Sequence, residues 1–245
     1  MKNLLLALLL GITMVSVAQE KVLLRLNYEK GDVYEMKMEM SQKMGAGLMS
    51  MNTKMTMHQE IKAVSDNTYE SDMKITNMVM NVSQGGQLMS YDSSKKEGEL
   101  SPTDEVMKAQ MAPMMKVLIT TKGNNLGKVI ETKVEPNIPN ANNLTEQSSN
   151  VVYPEKAVSV GDTWSMNKDA NGMKLNFVYK VNSITAKNVL LDISGNVEGV
   201  GTGNITGTMN IDKKTGVALT SKIEMLMKVQ GQDLTTSMNM SITKK

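Results

Sequence analysis

The sequence predicts a mainly β protein, an antiparallel sheet built from two similar meander halves with one or two amphipathic helices packed on it. Three observations support this prediction. Apolar and polar residues alternate with a period of two over several long runs. Residues that favour chain reversal separate these runs, and one segment changes to helical spacing. A sheet with one buried and one solvated face is the usual form of an antiparallel sheet.

The first eighteen residues have the pattern of a secretory signal peptide. Lys2 precedes an apolar run from Leu4 to Val15, and Ser16-Val17-Ala18 places small residues at both ends of a tripeptide. We expect cleavage after Ala18. The apolar run is shorter than the roughly 20 residues that a spanning helix needs. The sequence therefore predicts a periplasmic or secreted protein without a transmembrane span after cleavage.

The composition of the predicted mature chain, residues 19–245, excludes several classes of protein. The full chain carries a formal net charge of +2, which falls to about +1 without Lys2, and it has no basic stretch, which argues against nucleic-acid binding. It contains no cysteine, so thiol catalysis, thiolate metal sites and disulfides are all absent. The length suits a single all-β domain.

The clearest alternation runs from Met49 to Val64. Six of its eight odd-numbered positions are apolar, and one of its eight even-numbered positions is. Because successive side chains of a strand point to opposite faces, this run is a half-buried strand. The same pattern begins again at Tyr34, Met173 and Ile223.

Short turn-forming segments lie between the runs. They are Ser65-Asp66-Asn67, Gln84-Gly85-Gly86, Thr185-Ala186-Lys187-Asn188 and Lys213-Lys214-Thr215-Gly216. Links this short join neighbouring antiparallel strands as hairpins, so the strands form meanders.

One segment has the features of a helix. Ser101 is a capping residue, Pro102 occupies the first helical position, and two acids follow in the first turn. We predict an amphipathic helix from Pro102 to about Lys116, bent or broken near Pro113. Its apolar stripe consists of Met107, Met111, Met114, Met115 and Leu118.

The chain divides into two similar halves, about 19–134 and 157–245, joined by a linker at about 135–156 that is rich in Asn, Pro and Ser. Gly31-Asp32 and Gly161-Asp162 each open a strand and are each followed by an aromatic residue. The segment from Val64 to Tyr69 also matches the segment from Ile184 to Val189.

No catalytic apparatus is evident. His58 is the single histidine and lies on the polar face of its strand, and neither a Gly-x-Ser-x-Gly motif nor a phosphate-binding loop occurs. Paired carboxylates of a glycosidase would normally be accompanied by aromatic platforms, but the chain has one Trp, one Phe and six Tyr. The sequence predicts no enzyme, no catalytic residue and no cofactor.

Methionine is unusually abundant, with 25 residues in the chain. Many occur as Met-x-Met, which places two thioethers on the same face of a strand. Soft thioether sulfur favours Cu(I). Methionine also fills irregular cores and pliable ligand-binding surfaces, and its positions follow the apolar parity of the strands, which favours a core role. We assign no metal ligand, and we take Met55, Met57, Met107, Met111 and Met115 as candidate ligand-binding residues.

Three stretches resemble an uncharacterised family of exported bacterial proteins, a domain of unknown function common in Bacteroidota. They are Leu26 to Tyr34, Ala157 to Trp164, and Ile211 to Gly216. The implied shape is similar to the lipoprotein-carrier superfamily, in which helices close the concave apolar face of a curved antiparallel sheet that receives acyl chains. This chain differs in length and in its near-duplicated halves, so no binding residue is carried over.

These observations favour an exported, non-enzymatic binding protein that holds an apolar or lipid-like ligand under the helix. Two alternatives remain open at this stage: a methionine-rich Cu(I)-binding protein, and a structural or surface-interaction protein. The predicted partners are an apolar small molecule or lipid, or another protein of the cell envelope.

Overall fold

The computed structural model describes residues 20–45, 47–96, 98–137, 151–170 and 172–245. The predicted signal peptide lies outside the described residues, as does 138–150 of the predicted linker. The strands are β1 (Val33–Met44), β2 (Met49–Ser65), β3 (Thr68–Gln84), β4 (Gln87–Asp92), β5 (Leu118–Asn124), β6 (Val129–Glu135), β7 (Thr163–Ala170), β8 (Met173–Ile184), β9 (Asn188–Gly199), β10 (Gly201–Asp212), β11 (Ala218–Val229) and β12 (Gln232–Lys244). The helix α1 (Pro102–Met111) continues into a 3-10 turn, Ala112–Lys116.

These twelve strands of the described chain form one open antiparallel sheet. Its order is β6-β5-β3-β2-β1-β12-β11-β10-β9-β8-β7, with β4 also paired to β3. The first and last strands of the chain therefore meet in the middle of the sheet, and β6 and β7 are its two edges. The prediction of a mainly β protein built from two meanders, with a helix packed on the sheet, is confirmed.

The two halves repeat the same turn at the same place. The N–H of Gly31 donates to the carbonyl of Ile61, and the N–H of Ile61 donates back to the carbonyl of Asp32, both at 2.8 Å. Gly161, Asp162 and Val181 form the same pair of bonds at 2.8 and 2.9 Å. In both halves the strand register then shifts by one residue, directly after Ile61 and after Val181.

In the first half the position beside β3 is shared by two short strands with the helix between them, whereas one continuous strand occupies the corresponding position of the second half. There β10 pairs with β9 along nearly its whole length. In the first half β4 and β5 lie end to end along β3, and α1 joins them. The predicted capping of α1 is present, because the hydroxyl of Ser101 accepts from the N–H of Asp104. The α-helix ends at Met111 because Pro113 cannot continue its hydrogen-bond ladder.

Two extended segments, residues 20–30 and 151–158, precede the repeated turns and are called here the arms. They pair with each other through Val22 and Val158. The first arm reaches a loop of the second half, where the N–H of Asn27 donates to the carbonyl of Thr215 at 2.8 Å. The second arm reaches a loop of the first half, where the N–H of Tyr153 donates to the carbonyl of Leu126 at 2.8 Å. The arms thus tie the two halves together.

The interior differs between the halves. In the second half the buried side chains are mainly aliphatic and aromatic, as at Phe177, Leu191 and Ile211. The main core cluster of the first half contains eight buried side chains, of which five are methionines. The nine half-buried apolar side chains that pack on this cluster are all methionines, and one of them, Met238, lies on β12. We call this group the methionine cluster. The core interpretation of the methionines accounts for it, because unbranched thioether side chains fill irregular space.

Candidate functional site

A cavity of about 670 Å³ lies against the sheet, beside the methionine cluster. Its inner wall consists of apolar side chains from the central strands, namely Met36, Met38, Met55, Met57, Met73, Ile75 and Ile242. The arms contribute a second wall through Tyr28 and Tyr153. Both edge strands, β6 and β7, reach the same cavity, so the cavity lies between the two edges of the open sheet.

Cross-strand pairing places methionines in a row that follows this wall and continues into the methionine cluster. Met38 of β1 is paired with Met240 of β12 on one side and with Met55 of β2 on the other. Met55 is paired in turn with Met78 of β3. Directly paired side chains on one face lie about 5 Å apart at Cβ, so the row presents a nearly continuous thioether surface.

A bulge in β3 keeps both parts of that strand on this surface. The register shifts opposite Thr56 and Met57, so that Ile75 rather than Thr76 pairs with Met57. Ile75 and Met78 are both buried as a result, although an odd and an even position of a regular strand would point to opposite faces. A strict period of two in the sequence does not reveal this change, because the inserted residue reverses the faces.

The structure divides the predicted site residues into two groups. Met55 and Met57 line the cavity. Met107 is buried and Met111 and Met115 are half-buried in the methionine cluster, but none of the three lines the cavity. The helix and the cavity therefore lie on different parts of one apolar surface, with Met55 and Met57 shared between them, whereas the sequence analysis placed the ligand under the helix.

Three tyrosines pack together beside the cavity, and two of them, Tyr28 and Tyr69, line it. The ring of Tyr28 packs edge-on against Tyr69 and Tyr34, with centroid distances of 4.9 and 5.5 Å. Burial raises the pKa of Tyr28 and of Tyr69, so both cavity-lining phenols stay neutral. The sequence analysis did not select Tyr28 or Tyr69, because no spacing in the sequence connects them.

The third tyrosine is anchored by an ion pair. The hydroxyl of Tyr34 donates to Asp32 Oδ2 at 3.0 Å, and Lys244 Nζ lies 2.7 Å from Asp32 Oδ1. Burial alone would raise the pKa of Asp32, but hydrogen bonds from the Lys244 ammonium group, the backbone N–H of Glu29 and the Tyr34 hydroxyl lower it below its usual value. The Asp32 carboxylate therefore links β1 to Lys244 of β12 and to the backbone of Glu29 in the first arm.

The edge strands give the cavity a polar border. Lys128, directly before β6, and Thr132 within it line one side. Ser165, Asn167 and Lys168 of β7 line the other. The cavity thus combines an apolar inner wall with a polar border, an arrangement that suits a molecule with an apolar body and a polar end.

The described residues offer no group of three His, Cys, Asp or Glu side chains suited to a metal ion. His58 is half exposed, and its Nε2 lies 3.4 Å from Glu35 Oε2 on the outer side of the sheet. Within the described part of the chain, no helix has the length and apolar character needed to cross a membrane.

Residues 140–218 match a family of unknown function (DUF6263). This match covers less than half of the chain and includes β7 to β10. The expected resemblance to a domain of unknown function is confirmed over that range. No curated protein matches the sequence.

The fold is similar to a solved structure titled "Lipid-protein interactions in lipovitellin". The TM-score is 0.54 at 10% sequence identity, and the match covers 89% of this chain and 25% of that chain. The chain thus spans about a quarter of the length of the solved structure. At this identity the likeness establishes a shared fold, in agreement with the predicted carrier-like sheet.

Proposed function

We propose that the protein is a non-enzymatic binding protein that holds an apolar, lipid-like molecule in the cavity between the sheet edges. The observation that carries this proposal is the cavity of about 670 Å³ with its methionine and aliphatic inner wall. Small-molecule sites typically enclose about 300–1,000 Å³ and are mostly apolar. Burying an apolar ligand there would contribute about 25 cal/mol for each Å² removed from water.

The composition of the wall supports a ligand of variable shape. Methionine side chains are unbranched and rearrange at low cost, so a wall built from them adapts to different chains. A shared fold with a structure whose title concerns lipid–protein interactions supports the same class of ligand.

We also propose that the protein acts outside the cytoplasm, because its first eighteen residues have the order of a signal peptide. N-terminal sequencing of the protein from the extracytoplasmic fraction should begin at Gln19. Recovery of intact protein starting at Met1 from the cytoplasm would contradict export.

Native mass spectrometry of the protein purified from its own cell envelope tests the binding proposal. We expect a co-purified apolar molecule, and binding of a neutral apolar fluorescent probe after its removal. Met73→Trp should narrow the cavity and weaken both, since Met73 lines it. Lys74→Trp is the matched control, because Lys74 is exposed on the opposite face of β3. Absence of bound mass and of probe binding in the unmodified protein would overturn the proposal.

Cu(I) binding remains a second candidate because of the row formed by Met240, Met38, Met55 and Met78. Thioether sulfur is a suitable Cu(I) ligand. The row is surrounded by other apolar side chains, however, and a buried cation without a counter-charge is costly. The apolar-ligand proposal is therefore the better supported of the two.

A further inference from the structure

We infer that the ligand is an uncharged amphiphile, whose polar end carries hydroxyl or ester oxygens and binds to a row of hydroxyl groups on the inner wall of the cavity. This inference rests on the proposed function and specifies the chemical class of the ligand. The row consists of Ser71 on β3, Thr121 on β5 and Thr132 on β6, and all three side chains line the cavity.

Strand pairing builds this row. Ser71 is the direct partner of Thr121, and Thr121 is the direct partner of Thr132. Directly paired side chains on one face lie about 5 Å apart at Cβ, so the three hydroxyls cross three neighbouring strands as one line. The line begins at Ser71, which is buried, and ends at Thr132 on the edge strand. The polar border of the cavity therefore continues inward across the wall.

Two further side chains extend the row into a patch. Gln59 Nε2 donates to Ser71 Oγ at 3.0 Å, so the Ser71 hydroxyl accepts this bond and has its own proton to donate. Tyr69 lies two residues before Ser71 on the same face of β3, and its phenol also lines the cavity. We call Gln59, Tyr69, Ser71, Thr121 and Thr132 the polar patch. Each of its hydroxyls can both donate and accept, as the hydroxyl groups of a ligand can.

The polar patch is neutral. Its members are one amide, three aliphatic hydroxyls and the phenol of Tyr69, whose pKa is raised by burial. The charged side chains among the described residues that line the cavity, Lys128 and Lys168, belong to its border instead. An ion placed on the patch would lose hydration without gaining a counter-charge there, which is costly. The patch therefore favours an uncharged polar group.

The neighbouring pair along the same two strands is apolar. Met73 is the direct partner of Ile119, and both line the cavity, as do Ile75 and Met57 farther along the wall. A tail on this surface leaves the polar end of the ligand at the patch. A pure hydrocarbon would instead cover the hydroxyls without bonding to them, and buried polar groups without partners are unfavourable. A site of this kind discriminates against ligands that lack the polar group.

The test compares amphiphiles that have tails of twelve carbon atoms and differ in the polar end. The full chain, freed of bound lipid, is loaded with a neutral apolar fluorescent probe. Monododecanoylglycerol, dodecanoate or dodecylamine then displaces the probe, each below its micelle-forming concentration. We expect the uncharged glycerol ester to bind about tenfold more tightly than either ion, because the ions lose more hydration at the patch.

The double variant Ser71→Ala/Thr121→Val should bind the glycerol ester about tenfold more weakly, while its affinity for the probe does not fall. Ser194→Ala/Thr206→Val is the matched control, because these two residues are also direct partners, on β9 and β10, but are exposed and do not line the cavity. Thr121→Val alone, at a half-buried position, provides the comparison if the double variant does not fold.

Three results would count against these ideas. If dodecanoate or dodecylamine displaces the probe as well as the glycerol ester does, the inference is wrong and the proposed function stands. An undiminished affinity for the ester in both patch variants, Ser71→Ala/Thr121→Val and Thr121→Val, would also overturn the inference. Failure of the probe itself to bind to the unmodified protein would contradict the proposed function instead.

Discussion

The phenol ring of Tyr69 lies over Gly123, its direct partner on β5, so closely that a Cβ on Gly123 would stand 2.7 Å from the ring and from its hydroxyl oxygen. Tyr69 is buried, lines the cavity and packs on Tyr28. The absence of a side chain at Gly123 therefore sets where the tyrosine group stands. A glycine covered by an aromatic residue on the paired strand is a known device of β-sheets.

Gly123→Ala should destabilise the protein by about 1–3 kcal/mol, because the added methyl displaces the ring of Tyr69. The cost should be much smaller in a Tyr69→Leu background, which lacks the ring atoms that collide. Chemical denaturation of the two single variants and the double variant measures this coupling. Strictly additive costs would show that the contact does not constrain Gly123.

Replacing Met55 and Met57 together by leucine should leave the fold intact. Leucine and methionine have similar volumes, and such exchanges usually cost less than about 1.5 kcal/mol per site. We expect no tight Cu(I) binding before or after the change, measured against a competing chelator. Met225→Leu/Met227→Leu is the matched control, a Met-x-Met pair in the core of the second half. A tight, stoichiometric Cu(I) site lost only in the Met55/Met57 variant would favour the copper alternative.

Charge on the inner face of α1 should be more harmful than charge on its outer face. Met107 is buried in the methionine cluster, so Met107→Glu would bury a carboxylate without a partner and should cost about 2–4 kcal/mol. Gln110 is exposed, and Gln110→Glu should be nearly neutral. Thermal melting of both variants provides the comparison. Equal melting temperatures would mean that the helix contributes little by its packing.

Thr53→Val should stabilise the protein by about 1 kcal/mol. The hydroxyl of Thr53 is buried without a hydrogen-bond partner among the described residues, and it lies in β2 between Met40 and Met80. An unsatisfied buried hydroxyl is unfavourable, and valine has the same shape without it. Thr56→Val changes a half-buried threonine of the same strand and serves as control. Loss of stability in Thr53→Val would indicate that the hydroxyl is bonded in solution.

The junction of α1 with β4 should weaken in acid. Hydrogen bonds from Ser90 and Ser101 lower the pKa of Asp104 to about 2 from its usual 3.8. A lowered pKa means that the stabilisation is complete above about pH 4 and is lost as the pH falls through about 2. NMR titration of the Asp104 carboxyl group measures the pKa directly, and Ser90→Ala should raise it. A midpoint at the usual value would exclude these hydrogen bonds in solution.

Much of the local structure could be predicted from the sequence because short-range physics determines it. The alternation from Met49 to Val64 predicts β2 and its buried face, since side-chain direction reverses at every residue. Ser101, Pro102 and Pro113 predict where α1 begins and where its geometry changes, since caps and prolines act within one turn.

The cavity was not predictable in this way. It depends on side chains that are far apart in sequence, such as Tyr28, Thr121 and Lys168, and on a bulge in β3 that reverses the faces without any clear signal in the sequence. Met55 and Met57 were selected for their shared face on a strand, and they line the cavity. Met107 was selected from the apolar stripe of the predicted helix, and it packs beside the cavity without lining it.

The sequence by itself determined the mainly β class, the strands β1, β2, β8 and β11 with the faces that they bury, and the helix. The tertiary structure alone decided that β1 pairs with β12, that the arms cross to the opposite halves, and that β6 and β7 are left as edges bordering one cavity. The physical reason is that alternation and capping are properties of neighbouring residues. An unfilled volume, by contrast, depends on the curvature of the whole sheet and on how completely side chains from distant parts of the chain fill the space that the sheet encloses.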